Sequence, residues 1–373
     1  MRIKLKLKKI KNKIFKKYIW AKNKNIEIGS NQNSIFLNMN DKFIKKEIVY
    51  SVKKIVFPIQ PVKHKWVGGQ WIEDCYYAIP NDMDKILKFS NGTITFIPCD
   101  YKGLFKWTGG CVWNDYLYGF PRSTNSFLRF SIKTGKSEEL ELNTKYLTEH
   151  HYGGVLVPNG VVYQPPRNTD HILATDLKNG KSHRIQIAPF WLNMRFRYCG
   201  SILHPNGYIY FLPEENDKVI CFNPKNEKFR FIGPQISPMV FDAKVGVDGN
   251  IYGFSAYKKG ILKINVQINS VEMIHTEITP GSYGTKLGIN GKLYSIPGDG
   301  TEILEFDIED NTIHSIFHID GFKKAKYAGG AINKDGTIAF SPVTSNEIIL
   351  LVPNETNVCV SDGIFNMLMK DFY

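Results

Sequence analysis

The chain has 373 residues, 43% of them hydrophobic and 13% aromatic, which excludes an intrinsically disordered protein and leaves ample material for a core. The net charge of +13 is uneven: residues 1–65 hold 18 Lys/Arg against Glu27, Asp41 and Glu47, and the remainder holds 30 basic against 32 acidic residues. A uniformly basic, nucleic-acid-coating surface is thereby excluded for most of the chain, and specific nucleic-acid binding is not expected.

Residues 1–24 place Ile3, Leu7, Ile10, Ile14 and Tyr18 at helical spacing, with Arg2 and lysines on the other face. This predicts a basic amphipathic helix that lies on an anionic membrane surface, the alternatives being a helix packed on the rest of the protein or one that attracts nucleic acid without specificity. Lysines interrupt every apolar run there, so neither a signal peptide nor a membrane span is expected. The expected location is cytoplasmic, peripheral on the inner membrane surface. Residues 25–65 form a strand-containing lead-in.

From residue 66 to 373 one pattern recurs, with starts near Trp66, Trp107, Tyr152, Tyr198, Phe241, Tyr283 and Tyr327. The second unit shows the plan: Trp107 to Trp113, a turn at Asn114-Asp115, Tyr116 to Pro121, Phe127 to Ile132, a Thr-Gly turn, then Glu138 to Leu142. Asn159-Gly160, Asn206-Gly207, Asp248-Gly249, Asn290-Gly291 and Asp335-Gly336 mark the first hairpin of other units, and such pairs favour two-residue turns. Four short strands per unit, seven times over, predict an all-β fold: a seven-bladed β-propeller of four-stranded antiparallel blades. Gly68-Gly69, Gly109-Gly110, Gly153-Gly154, Gly200 and Gly329-Gly330 belong on its innermost strands, where space is shortest. Residues 54–59 resemble the outermost strand Thr93–Pro98 and are a candidate for closing the ring, with residues 357–360 as the competing edge.

Across residues 66–362 the repeat resembles the propeller superfamily of virginiamycin B lyase, gluconolactonase-like proteins and NHL or YVTN repeat proteins. The resemblance carries the fold. Lyases and lactonases of that group use metal-binding or catalytic acids and histidines, for which no motif-by-motif match is found here, and the recurrent aromatic after the hairpin is Tyr where the lyase repeats typically carry Trp.

A basic residue precedes an aromatic in Lys65-Trp66, Lys106-Trp107, His151-Tyr152, Arg197-Tyr198 and Lys326-Tyr327. Gathered at one channel mouth, these pairs form a funnel for an anionic sugar or a phosphorylated small molecule; packed between blades, they serve only the core. Glu149, His150 and His151, with Asp242 and Arg195, form the candidate catalytic group, able to hold a divalent metal or act as an acid and base. The metal ligands and cofactor are otherwise unspecified. His64, His171, His183, His204, His275, His314 and His318 are scattered singly, and the six cysteines form no C-x-x-C pair, so reduced, buried thiols are expected. No P-loop or G-x-S-x-G elbow is present. The functional expectation is a ligand-binding or scaffold propeller for an anionic carbohydrate in cell-surface glycan assembly. A metal-dependent lyase or lactonase, and a protein-interaction platform, are the alternatives.

Overall fold

The Asx-Gly pairs do end the first strand of their repeats, by a longer turn than the dipeptide suggests. Gly160 N–H donates to Val157 O (3.0 Å) and Val157 N–H to Val161 O (2.9 Å), and the same two bonds recur around Gly207, Gly249, Gly291 and Gly336. These are type I turns followed by a left-handed glycine, φ +80° to +90°, which makes a G1 bulge. The Asx side chain is needed because its Oδ1 accepts the N–H two residues on, as from Asn159 to Val161 (3.2 Å) and from Asp335 to Thr337 (2.8 Å). The two-residue turn occurs at Asn114-Asp115, where both φ angles are positive.

The hairpin also explains the tyrosine that follows it. Tyr210, Tyr252 and Tyr294 are buried, and a buried phenol must find a partner. Each finds it on the Asx residue four positions back: Asn206 (3.1 Å), Asp248 (2.7 Å) and Asn290 (2.8 Å).

The structure is a computed structural model that describes residues 35–37, 43–59, 62–99, 101–143, 151–187, 197–215, 217–321 and 324–360. Six sheets are four-stranded and antiparallel, each built from one repeat in chain order. The first comprises Trp66–Ile72, Cys75–Pro80, Lys85–Ser90 and Thr93–Pro98. The seventh joins Tyr327–Ile332, Ile338–Pro342 and Glu347–Val360 to the N-terminal strand Phe43–Val56, with Ile35–Leu37 outermost. The ring is therefore closed by an N-terminal strand, and the protein is a seven-bladed β-propeller. Phe57 N–H donates to Asn346 O (3.0 Å), and Phe57 packs edge-on against Trp66 (6.0 Å), fixing residues 52–59 beside the first blade.

Two compact units are distinguished, residues 52–352 and residues 1–51 with 353–373. In the second, Ile35 pairs with Lys45, Asn354 Nδ2 donates to Ser51 Oγ (2.8 Å), and Thr356 Oγ1 donates to Glu47 O (3.2 Å). The helix expected over residues 1–24 lies outside the described residues. Among those described, no helix is long and apolar enough to cross a membrane.

Four blades are stitched to their neighbours at the start of the innermost strand. Lys106 N–H donates to Asn81 O of the preceding blade (3.1 Å), while Lys106 O accepts from Arg122 N–H of its own (2.9 Å). Lys65, Arg197 and Lys326 repeat this exchange. Between the sheets lie buried clusters such as Tyr77, Ile79, Ile86, Trp107, Leu117, Leu128 and Phe130.

Candidate functional site

Strand pairing sets a common register for the seven innermost strands. Trp66, Trp107, Tyr198, Ser282 and Tyr327 each face the proline that ends the second strand, and His151 makes the equivalent bridge to Pro166. The equivalent of Trp66 is thus His151, not Tyr152; in the fifth and sixth blades it is Val240 and Ser282, one residue before the expected starts.

This first position is interblade core. Trp66, Trp107, Tyr198 and Tyr327 are 0% exposed, and their polar atoms are bound inside: Trp66 Nε1 to Lys85 O (2.8 Å), Trp107 Nε1 to Ser126 O (2.8 Å), Tyr198 to Lys218 O (2.9 Å), Tyr327 to Glu347 (2.7 Å). The basic residues before them are enclosed too. Lys106 Nζ donates to Met83 O (2.9 Å) and Gly103 O (3.1 Å), Lys326 Nζ to Gly300 O (3.1 Å), and Lys65 is buried. Burial pulls the Lys106 and Lys326 ammoniums below their ordinary range. Arg197 is paired with Asp217. The predicted funnel of alternating cations and rings is therefore not assembled: flat rings at this register are wanted by the gap between twisted sheets, and the lysines tie down loop carbonyls.

His151 shares that fate. It is 3% exposed, its Nδ1 is 2.9 Å from Pro165 O, and its ring meets His171 edge-on at 5.7 Å. It is enclosed within its own blade, and Asp242 is bound by Lys244 and Lys286, so the predicted His151 and Asp242 group is not brought together. Glu149, His150 and Arg195 lie outside the described residues. Among the described residues, no three His, Cys, Asp or Glu side chains gather to hold a metal.

One position further along the register, side chains turn to the central channel, and here stand Tyr152, Phe241 and Tyr283. Their rings form a row, Tyr152 to Phe241 at 5.4 Å and Phe241 to Tyr283 at 5.1 Å, both edge-to-face or tilted. Tyr152 is flanked by the guanidiniums of Arg122 (5.2 Å) and Arg167 (5.1 Å). Arg167 is buried and held in a fork by Glu214 (2.7 and 2.9 Å), while Arg122 also covers Phe105 (4.5 Å).

The next position is the narrowest. Six blades carry glycine there, Gly68, Gly109, Gly153, Gly200, Gly284 and Gly329, and the fifth carries Asp242. At Gly68 (φ +78°) a Cβ would come within 2.7 Å of Gly109 Cα, and at Gly329 (φ +64°) within 2.9 Å of Gly68 Cα. Backbone contact and left-handed φ forbid a side chain on that half of the ring. Asp242 is not left-handed, so its blade can bear one.

Two positions on, the fifth and sixth blades supply Lys244 and Lys286, each facing a tyrosine of its second strand. Both close on the aspartate: Lys244 Nζ lies 2.7 Å from Asp242 Oδ1, and Lys286 Nζ binds Oδ2 across the blade boundary. Burial would push the Asp242 carboxyl up, but the two ammoniums override it and hold the carboxyl below the usual range. Burial also draws Lys286 down, to about 8, despite the opposing pull of Asp242. With its pKa lower in the folded than in the unfolded chain, Lys286 opposes folding fully below pH 8, and stability is regained between about 8 and 10.5. Urea unfolding should show the wild type gaining about 3 kcal/mol over Lys286→Met between pH 7 and the upper end of that window; parallel profiles would refute the assignment.

The channel is a cavity of about 470 Å³ lined by the aromatic row, the glycines, Asp242, Lys244 and Lys286. Of the predicted site residues it contains Tyr152 and Asp242. Lys244, Lys286, Phe241, Tyr283, Arg122 and Arg167 were missed. The signal for the lysines was present: counted from the glycine, an aspartate replaces glycine in one unit, and lysine recurs two places later in that unit and the next.

No family model matches the chain, and no curated protein matches it. Solved structures do. Selenomethionine-substituted virginiamycin B lyase from Staphylococcus aureus is similar at 14% identity, with 82% of this chain and 99% of that chain covered and a TM-score of 0.68. The extracellular domain of a putative hybrid two-component system from B. thetaiotaomicron is similar at 10% identity, covering 81% of this chain and 42% of that one, TM-score 0.61. The WD40 β-propeller domain of Doa1 matches at 11% identity over 81% of this chain and 97% of that one, TM-score 0.61. At such identities the likeness shows the fold, a β-propeller, shared by lyase, sensor and WD40 domains alike.

Proposed function

We propose that this propeller is a ligand-binding module that takes an anionic, carbohydrate-type small molecule in its central channel. One observation carries the reading: a row of flat aromatic faces and a cluster with two ammoniums for one carboxylate line the same cavity of about 470 Å³. That volume suits a mono- or disaccharide-sized ligand, and a pocket mostly apolar with a few convergent polar groups is how such ligands are held. Tyr152, Phe241 and Tyr283 receive the ring; the excess positive charge receives its acid group.

Calorimetric titration of hexuronic acids and sugar phosphates tests this. Tyr283→Ala should weaken binding at least tenfold, about 1.4 kcal/mol, with the fold intact by circular dichroism. Equal affinity in the variant, or binding of neutral sugars alone, would overturn the reading.

A further inference from the structure

The channel's charges do not balance. Asp242, Lys244 and Lys286 are the charged residues among those lining the cavity, so its interior carries a formal excess of one positive charge. Lys286 is 6% exposed at its side chain and bound to Asp242, whereas Lys244 is 33% exposed and shares its ammonium between Asp242 Oδ1 (2.7 Å) and Ala243 O (3.1 Å). An ammonium inside a narrow channel is costly without a full counter-charge, because the dielectric around it is low. The neighbouring lining is neutral: Gln70 Nε2 donates to Gly110 O (2.6 Å), and Val155, Ile202 and Ala331 hold the same register position in other blades.

Asp242 is also the residue out of place, since the other six blades have glycine at its position. Nothing in the backbone of a blade requires a carboxylate there. What it does is occupy both lysines from within the ring.

We propose that Asp242 is a built-in competitor: it holds the place of a ligand's acid group, and a single carboxylate or phosphate entering the channel binds by taking Lys244 from it. This deepens the reading of the channel as an anion site and rests on it. The incoming group meets the more exposed ammonium, while Lys286 keeps Asp242 neutralised, so the occupied channel has two anionic groups on two cations. Selectivity follows from the count. One anionic group is matched, and Asp242 repels a second such group at close range.

The test uses the full chain and ringless probes, inorganic phosphate and acetate, by equilibrium dialysis at fixed ionic strength. The wild type should bind one probe anion per chain. Lys244→Met, which makes the cluster neutral, should lose at least tenfold in affinity, and Lys244→Arg should retain it. Asp242→Asn, which removes the competitor, should bind tenfold tighter. Tighter phosphate than acetate assigns a phosphorylated ligand, and the reverse assigns a sugar acid; either supports the proposal. Unchanged affinity in Lys244→Met, or weaker binding in Asp242→Asn, overturns it. Should Asp242→Asn not fold, the Met and Arg pair decides alone. Because the probes have no ring, a failure to bind any sugar would sink the carbohydrate reading while leaving this result intact.

Discussion

Replacing Trp107 by alanine is expected to destabilise the propeller by about 3–5 kcal/mol, the range for deleting a buried aromatic. Its indole is 0% exposed, packs edge-on to Tyr101 at 5.6 Å, and shares a cluster with Ile79, Ile86, Leu117 and Leu128. The variant also strands the Ser126 carbonyl that accepts from Nε1 (2.8 Å). In urea the midpoint should fall steeply with little change in slope, while the fraction that remains folded binds the channel ligand as before. A Trp107 variant of normal stability and lost binding would return this residue to the ligand site and refute its place between the blades.

Asp242→Asn should cost about 3 kcal/mol at pH 7, because it leaves Lys244 and Lys286 facing each other without the carboxylate that binds both. The loss should shrink as pH rises toward about 8 and stay constant above it, because without the raising pull of Asp242 the variant's Lys286 sheds its proton at a lower pH than the wild type's. Asp242→Gly restores the residue of the other six blades and should be no better, which separates charge from shape. Urea unfolding of both variants at pH 7 and 9 reads the outcome. A glycine variant as stable as the wild type would mean that the two lysines need no internal counter-ion.

These effects differ in how readable they were beforehand. The blades were legible because hairpin chemistry is local: Asn-Gly and Asp-Gly write their bulged turns within four residues, and the tyrosine that follows completes the bond pattern. Closure was legible in part, since residues 54–59 resemble an outer strand, although that edge is filled by pairing between chain ends that no local pattern reports. The site was less legible. Aligning units on their first aromatic shifted the third, fifth and sixth by one residue, and a one-residue slip exchanges a channel-facing side chain for an interblade one. Sequence alone therefore groups Tyr152 with Trp66 and Asp242 with His151, whereas the partners of Asp242 are Lys244 and Lys286. The glycine whose backbone touches its neighbour's, Gly68 on Gly109, is the physically enforced landmark, and counting from it recovers both lysines. The enclosure of Lys106 and Lys326 had no sequence signal, because the loop carbonyls that hold them are set by the fold.

In the proposed function, one side of the channel, built by the third, fifth and sixth blades, holds the ligand. The most direct measurement is a crystal structure of the protein grown with a hexuronic acid or a sugar phosphate. Density is expected for the ring against Tyr152, Phe241 and Tyr283 and for the acid group within hydrogen-bond distance of Lys244 Nζ, with Asp242 drawn toward Lys286. Ligand density at the outer strands or beside Lys65, Lys106 and Arg197, with an unchanged channel, would contradict it.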